Sequence, residues 1–296
     1  MMFYLLELED NFRRTGNEET RSQGEEKARG VVSYFKKFEN EYGLLENLEN
    51  WVFVEWSKAG DPDYVKGVNF PSNMLYAAAL AAFGELYGEK EYVEKAEKLK
   101  ETIRKLSFNG EFFEDNAIRK DGKLALVGHT TETCQYYAFY FGTASRATHP
   151  ELYNTLLEKF GPLRDETKVY PSVAKSNAFI GNMLRSDYLV REGLGNKFLE
   201  EAREYYYGMA SVTGTLWEHD RIQCSLNHGF GAYAANMVVL SLGGYLYTDE
   251  TSRTVHIRKE TSPIGYRISI PVNGGFVNPE NGKDGKTVSV PDGYSV

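Results

Sequence analysis

Disulfide chemistry is almost absent from this chain. Its 296 residues contain two cysteines, Cys134 and Cys224. Both sit among apolar neighbours, and two cysteines build neither a disulfide framework nor a Cys-rich zinc site. They read as buried free thiols in a reducing compartment. Long apolar runs are missing too: none approaches the about 20 residues a membrane-spanning helix needs. The first ten residues carry Glu7, Glu9 and Asp10 and no basic segment or cleavage site, which argues against a signal peptide. The expected localisation is cytoplasmic. Positive charge is in deficit, with 34 Lys and Arg against 42 Asp and Glu, a net charge of −8. This balance disfavours nucleic acid and membrane surfaces as partners. It says little about a neutral ligand.

Aromatic residues are abundant. There are 21 Tyr, 17 Phe and 3 Trp, within a hydrophobic content of 42%. That is enough for a sizeable core and for one large domain with a small appendage. Apolar, small-residue segments at 72–87, 131–144, 176–192 and 229–242 read as helices buried on most faces. More charged amphipathic segments at 89–107, 149–160 and 197–210 alternate with them. Two further helices are expected at 1–14 and 18–41, with loops at 43–71 and 108–128. Alternating inner and outer helices form an α/α toroid. Ala77, Leu80, Phe83, Tyr137, Phe141, Ile180, Leu184, Ala234 and Val238 are its expected core. From Thr254 the pattern turns to short alternating strands punctuated by Gly274-Gly275 and Asn281-Gly282. The expected division is a helical domain over 1–250 and a small antiparallel β appendage over 251–296.

The densest chemistry lies between Thr213 and Gly231. Trp217, Glu218 and His219 are followed by Asn227 and His228, in a loop between helices. An indole beside a carboxylate suits sugar hydrolysis: the ring stacks on a sugar face and the carboxylate activates water. This run resembles the α-L-rhamnosidase family of bacterial glycoside hydrolases, whose pattern reads T-T-x-W-E and then N-H-x-x-x-G. Three other segments agree in order. Trp51 to Ser57 resembles the family's acidic-Trp element. Thr131 to Tyr137 and Ser176 to Asn182 resemble the openings of two inner helices.

The resemblance implies an incomplete (α/α)6 barrel, with four to five helical hairpins readable between residues 1 and 250. It implies an inverting cleavage of terminal α-L-rhamnosyl residues with Glu218 as the catalytic general base. Substrate-binding roles fall on Trp56, Glu55, Trp217, His228, Glu132 and His129. The general-acid motif of the family, of D-x-x-E-R type, has no counterpart in residues 1–50. The chain therefore reads as a fragment, half of a split protein, or a degenerate relative, with its activity in isolation in question. An open flank of the toroid would leave Phe3, Leu6 and Leu8 partly exposed, for self-association or for a missing N-terminal half.

No cofactor or metal is expected. His219, Asp220, Cys224 and His228 fit no structural zinc spacing, and Asp61-Pro62-Asp63 reads as a solvated turn. The expected partner is a small-molecule carbohydrate. Two other functions remain open: a sugar epimerase on the same toroid using His129 and His228, and a non-catalytic carbohydrate-binding remnant.

Overall fold

The computed structural model describes residues 1–164, 169–177, 179–219, 224–258 and 264–296. Asp220, from the rejected zinc set, lies outside the described residues. The chain opens with the antiparallel helices α1 (Met2–Thr15) and α2 (Glu18–Lys36). Gly16 ends α1 in the left-handed conformation, and the Asn17 side chain caps α2 by accepting from Thr20 N. A long connection carries a 3-10 turn at Lys58–Gly60, helix α3 (Pro62–Val65) and strand β1 (Val68–Asn69). Then come α4 (Phe70–Tyr87) and α5 (Lys90–Ser107), the strands β2 (Asn116–Lys120) and β3 (Lys123–Leu126), and α6 (Glu132–Tyr140) with α7 (Pro150–Glu158). Helices α8 (Gly181–Arg191) and α9 (Gly195–Thr213) follow, and a 3-10 turn at Gly229–Ala232 leads into α10 (Tyr233–Gly243).

Side-chain chemistry sorts these helices into two layers. Helix α4 carries small and apolar residues around its circumference and is buried on nearly every face; α5 buries only Ala96, Leu99, Ile103 and Ser107. Helices α1, α4, α6, α8 and α10 pack side by side in that order. All five line a central cavity of about 630 Å³. They are the inner layer. Helices α2, α5, α7 and α9 form the outer one. Among the described residues, no helix bridges α10 back to α1, and a void of about 830 Å³ lies between them. The fold is thus a mainly α, incomplete α/α toroid with small antiparallel sheets.

The expected core is buried at Ala77, Leu80, Phe83, Tyr137, Phe141, Ile180, Leu184 and Ala234. Val238 is half-buried, and its neighbour Met237 is turned inward with Ala234. Helix α10 is flanked by α8 and α9 on one side only, so its face toward the void keeps water. At the other end of the ring Phe3 is exposed and Leu6 half-buried. Leu8, expected to be open, is instead sealed between α1 and Gly24 of α2, where a glycine leaves room for it.

Two sheet features depart from the sequence reading. The segment 108–128 contains the β2–β3 hairpin, joined to β1, rather than a loop alone. Strand β4 (Tyr245–Asp249) pairs with β5 (Thr254–Ile257), so strand pairing begins on the helical side of residue 250. Strands β6 (Tyr266–Arg267) and β7 (Ile270–Val272) both pair with β8 (Gly275–Gly282), whose other side takes β9 (Gly285–Ser289). The β region is tied to the end of α1: Glu250 N donates to Arg13 O and Asn273 Nδ2 to Thr15 O, both at 2.8 Å.

Candidate functional site

Two buried carboxylates gather the N-terminal ends of the inner helices at one mouth. Asp115 accepts from Thr131 Oγ1 at 2.7 Å, and Thr131 caps α6. The backbone carbonyl of Asp115 accepts from Phe70 N, the first residue of α4. Glu55 ties α6 to α8. Its Oε2 accepts from Ser57 Oγ at 2.6 Å and Thr133 Oγ1 at 2.5 Å. Its Oε1 accepts from Ser176 Oγ, Asn177 N and Gly181 N at 3.0, 3.1 and 2.6 Å. A Cβ at Gly181 would fall 1.7 Å from Ser176 Oγ and 2.7 Å from Glu55 Oε1, so only glycine lets α8 start this close.

The electrostatics below the mouth follow from burial. Desolvation pushes the Asp115 carboxyl up to about 8, against the pull of its hydrogen bonds to Thr131. Glu132 is pushed up to about 7 by the same cause, with the Arg164 guanidinium pulling the other way. Burial also raises Glu55 despite its five donors. Arg164 Nε lies 2.6 Å from Glu132 Oε1, both side chains out of water, and Tyr136 Oη donates to Glu132 Oε2 at 3.0 Å.

Above this base lies a cavity of about 420 Å³, within the about 300–1,000 Å³ of small-molecule sites. Trp51, Phe53 and Trp56 form its aromatic wall, Glu55 and Asn177 its floor, and His219 faces them from the loop after α9. Lys58 and Asp61, 3.2 Å apart, stand at the rim. Trp56 is 45% exposed, and its carbonyl is held by Asn177 Nδ2 at 2.9 Å. Phe179 links this wall to the far loop: its ring is 6.4 Å from Trp56, 5.5 Å from His228, and stacked on Phe230 at 4.1 Å.

The loop after α9 is pinned by its own sequence. Gly214 ends α9 in the left-handed conformation. Trp217 turns inward against Met209 and Leu226, and its Nε1 donates to Thr213 Oγ1 at 2.8 Å. The next two residues are only partly covered. Glu218 is half-buried; its N donates to Ser225 O at 2.9 Å, and its Oε2 accepts from Ser225 N at 3.4 Å. His219 Nδ1 is buried without a hydrogen-bond partner while the ring lines the cavity.

The fold has relatives among solved structures. No family model and no curated protein matches the chain. The GH78 family rhamnosidase of Bacillus sp. GL1 superposes with a TM-score of 0.77 at 18% identity, over 99% of this chain and 33% of that one. Its fold is the rhamnosidase toroid. The α-L-rhamnosidase of Streptomyces avermitilis, solved with L-rhamnose, gives 0.65 at 13% identity, over 96% of this chain and 28% of that one. The Aspergillus terreus α-L-rhamnosidase gives 0.64 at 16%, over 96% and 34%. The chain thus spans about a third of the length of these rhamnosidases.

On the rhamnosidase toroid the expected site residues fall into two groups. Trp56 lines the cavity, and Glu218 is half-buried in the loop that supplies the cavity-lining His219. The other five, to which the resemblance gives substrate-binding roles, are engaged by protein groups in this structure. Glu55 reaches the floor with every lone pair engaged by protein donors. Glu132 is fully buried against Arg164. Trp217 is core. His129 stacks on Tyr64 at 4.1 Å, and its Nδ1 is 3.0 Å from Asn116 Oδ1, away from the cavity lining. His228 caps the 3-10 turn by accepting from Phe230 N at 3.3 Å and meets the site only through Phe179. Ser57, Asn177 and His219 line the cavity too; all three lie inside the motif segments but were given no substrate role. Each immediately follows a residue singled out for its chemistry, Trp56, Ser176 or Glu218, and that adjacency was the available signal.

Proposed function

We propose that this chain is the sugar-binding, base-bearing part of a glycoside hydrolase of the α-L-rhamnosidase type, with Glu218 as general base. The observation that carries it is the pairing of a half-open indole, Trp56, with the Glu218–His219 loop across a monosaccharide-accessible cavity, on a fold shared with rhamnosidases. In the inverting reaction the sugar's apolar face lies on Trp56. A water held by Glu218 attacks the anomeric carbon and gives its proton to the carboxylate, while the bond to the leaving oxygen breaks. That oxygen needs a proton from a general acid. Among the described lining residues, Glu55 is sealed by five donors and Asp61 is paired with Lys58, so we assign neither the role.

Substrate choice tests the assignment. General acid catalysis is worth about 10²–10⁴-fold, and an activated p-nitrophenyl leaving group needs little of it. The chain is therefore expected to release rhamnose from p-nitrophenyl α-L-rhamnoside far faster than from methyl α-L-rhamnoside. Glu218→Gln should abolish that release with sugar binding retained. Full activity in Glu218→Gln refutes the base assignment. Sugar binding with no turnover of either glycoside makes the chain a carbohydrate-binding module.

A further inference from the structure

A sugar lying on Trp56 turns its hydroxyls toward the edge of the ring, and each needs a partner there. Most polar groups of the cavity are already spent. Glu55 is sealed by five donors. Ser57 Oγ donates to Glu55 and accepts from Ala59 N at 3.3 Å, and Asn177 Nδ2 is held by the Trp56 carbonyl. The rim differs. Asp61 sits at the N-cap of α3, where an aspartate ordinarily accepts from the first turn of its helix, yet its carboxylate makes no such bond. Among the described residues its one hydrogen-bond or ion-pair partner is Lys58 Nζ at 3.2 Å, and the two side chains are 46% and 64% exposed. An exposed ion pair of this kind adds little to stability.

The backbone beneath the pair is nonetheless fixed. Ala59 is buried, and Gly60 N and Asp61 N donate to Ser57 O and Lys58 O, both at 3.0 Å. A Cβ at Gly60 would fall 2.3 Å from the Glu55 carbonyl oxygen, so only glycine lets this turn sit so close to the floor. The rim is thus built onto the residue that forms the floor. A carboxylate only accepts and an ammonium only donates. Side by side on the cavity lining, they offer neighbouring hydroxyls an acceptor and a donor, each charge-assisted. We propose that Asp61, with Lys58 beside it, determines specificity: Asp61 accepts from one hydroxyl of a vicinal pair on the sugar, and Lys58 donates to the other. Ligands must then present a free vicinal diol to this turn, and a sugar substituted there is refused. This rests on the sugar-binding reading of the cavity.

Calorimetry on the full chain decides it, with methyl α-L-rhamnoside and its 2-, 3- and 4-deoxy analogues as probes. Asp61→Ala is expected to weaken binding of the methyl glycoside about 10- to 100-fold, the scale of a hydrogen bond to a charged group. The same substitution should leave unchanged the affinity for the one analogue that lacks the hydroxyl Asp61 reads. Lys58→Met should behave likewise toward the analogue lacking the neighbouring hydroxyl. Asp61→Asn, which keeps an acceptor, should recover part of the loss. Circular dichroism melts check each fold, and should Asp61→Ala melt early, Asp61→Asn carries the same comparison. Affinity for the methyl glycoside unchanged in Asp61→Ala overturns the inference and leaves the function standing. An equal loss for all the glycosides overturns it as well, because Asp61 would then shape the turn and read no hydroxyl. Failure of methyl rhamnoside to bind the unaltered chain removes the sugar-binding reading and this inference together.

Discussion

Single carboxylates explain how the mouth is built. Glu55 presents acceptors to two backbone N–H groups and three hydroxyls, so its two oxygens differ in what can replace them. The Oε1 side faces fixed N–H donors of Asn177 and Gly181; the Oε2 side faces only the hydroxyls of Ser57 and Thr133, which can reverse and accept. Glu55→Gln is therefore expected to cost about 1 kcal/mol, with the amide oxygen in the Oε1 place. Glu55→Ala strands five donors and is expected to cost at least ~3 kcal/mol. Urea denaturation of the pair checks this; equal losses would mean that the clamp is not what holds Glu55 in place. Sequence singled out Glu55 without its structural role. An acid beside a Trp looks the same whether it faces a sugar or the starts of two helices, because four of the five donors that claim it lie more than 70 residues away.

Asp115 carries a pH dependence whose direction follows from its burial. Its carboxyl titrates near 3.8 when unperturbed and at about 8 in the fold. Between those values the folded chain holds a proton that the unfolded chain has released. The contribution to stability is complete below the unfolded value and is lost as pH climbs through 8, at no more than about 1.4 kcal/mol per pH unit for one proton. Glu132, at about 7, adds a loss in the same direction. The urea midpoint is expected to fall between pH 6 and pH 9. Asp115→Asn should flatten part of that fall, and a variant that tracks the parent at both pH values would show that Asp115 releases its proton with the unfolded chain.

At the scale of elements, helices were legible and short strands were not. The inner helices expected at 72–87 and 176–192 appear as Phe70–Tyr87 and Gly181–Arg191. The first is small and apolar enough for burial on every side and starts two residues early; the second is shorter than expected and buries Arg185 and Asp187 in ion pairs with Glu201 and Arg191. The segment expected to be helical over 229–242 splits into a 3-10 turn and α10, because the His228 cap closes a tight turn first. Strands β2 and β3 were missed since neither alternates strongly. Yet Asp121-Gly122 joins them with both residues in the left-handed conformation, at φ 50° and 78°, and Asp-Gly is a tight hairpin signal. The inner-layer assignment of α8 is testable at Leu184, which is 2% exposed and lines the central cavity. Leu184→Ala is expected to cost ~2–5 kcal/mol. A cost near zero would place α8 outside the ring.

The whole molecule is a ring with a gap. Five inner helices surround the axis, and the gap between α10 and α1 is floored by β4 and β7. Its charges are paired within the chain: Arg13 and Arg14 both lie on Asp10, at 2.7 and 2.6 Å, with Glu9 3.6 Å from Arg13, and Arg191 lies on Asp187 at 2.8 Å. These pairs need no outside partner. On its rim Val239 is left 39% exposed. The neighbouring rhamnosidases are about three times as long, so in them additional polypeptide is available to such a surface. In this chain by itself the expected consequence is weak self-association through the gap. Sedimentation velocity should show a concentration-dependent shift toward dimer at tens of micromolar. Val239→Glu should return the chain to monomer without lowering its melting temperature, because that side chain already stands in water. A chain that stays monomeric across the range, or a Val239→Glu variant that still dimerises, would move the interface away from α10.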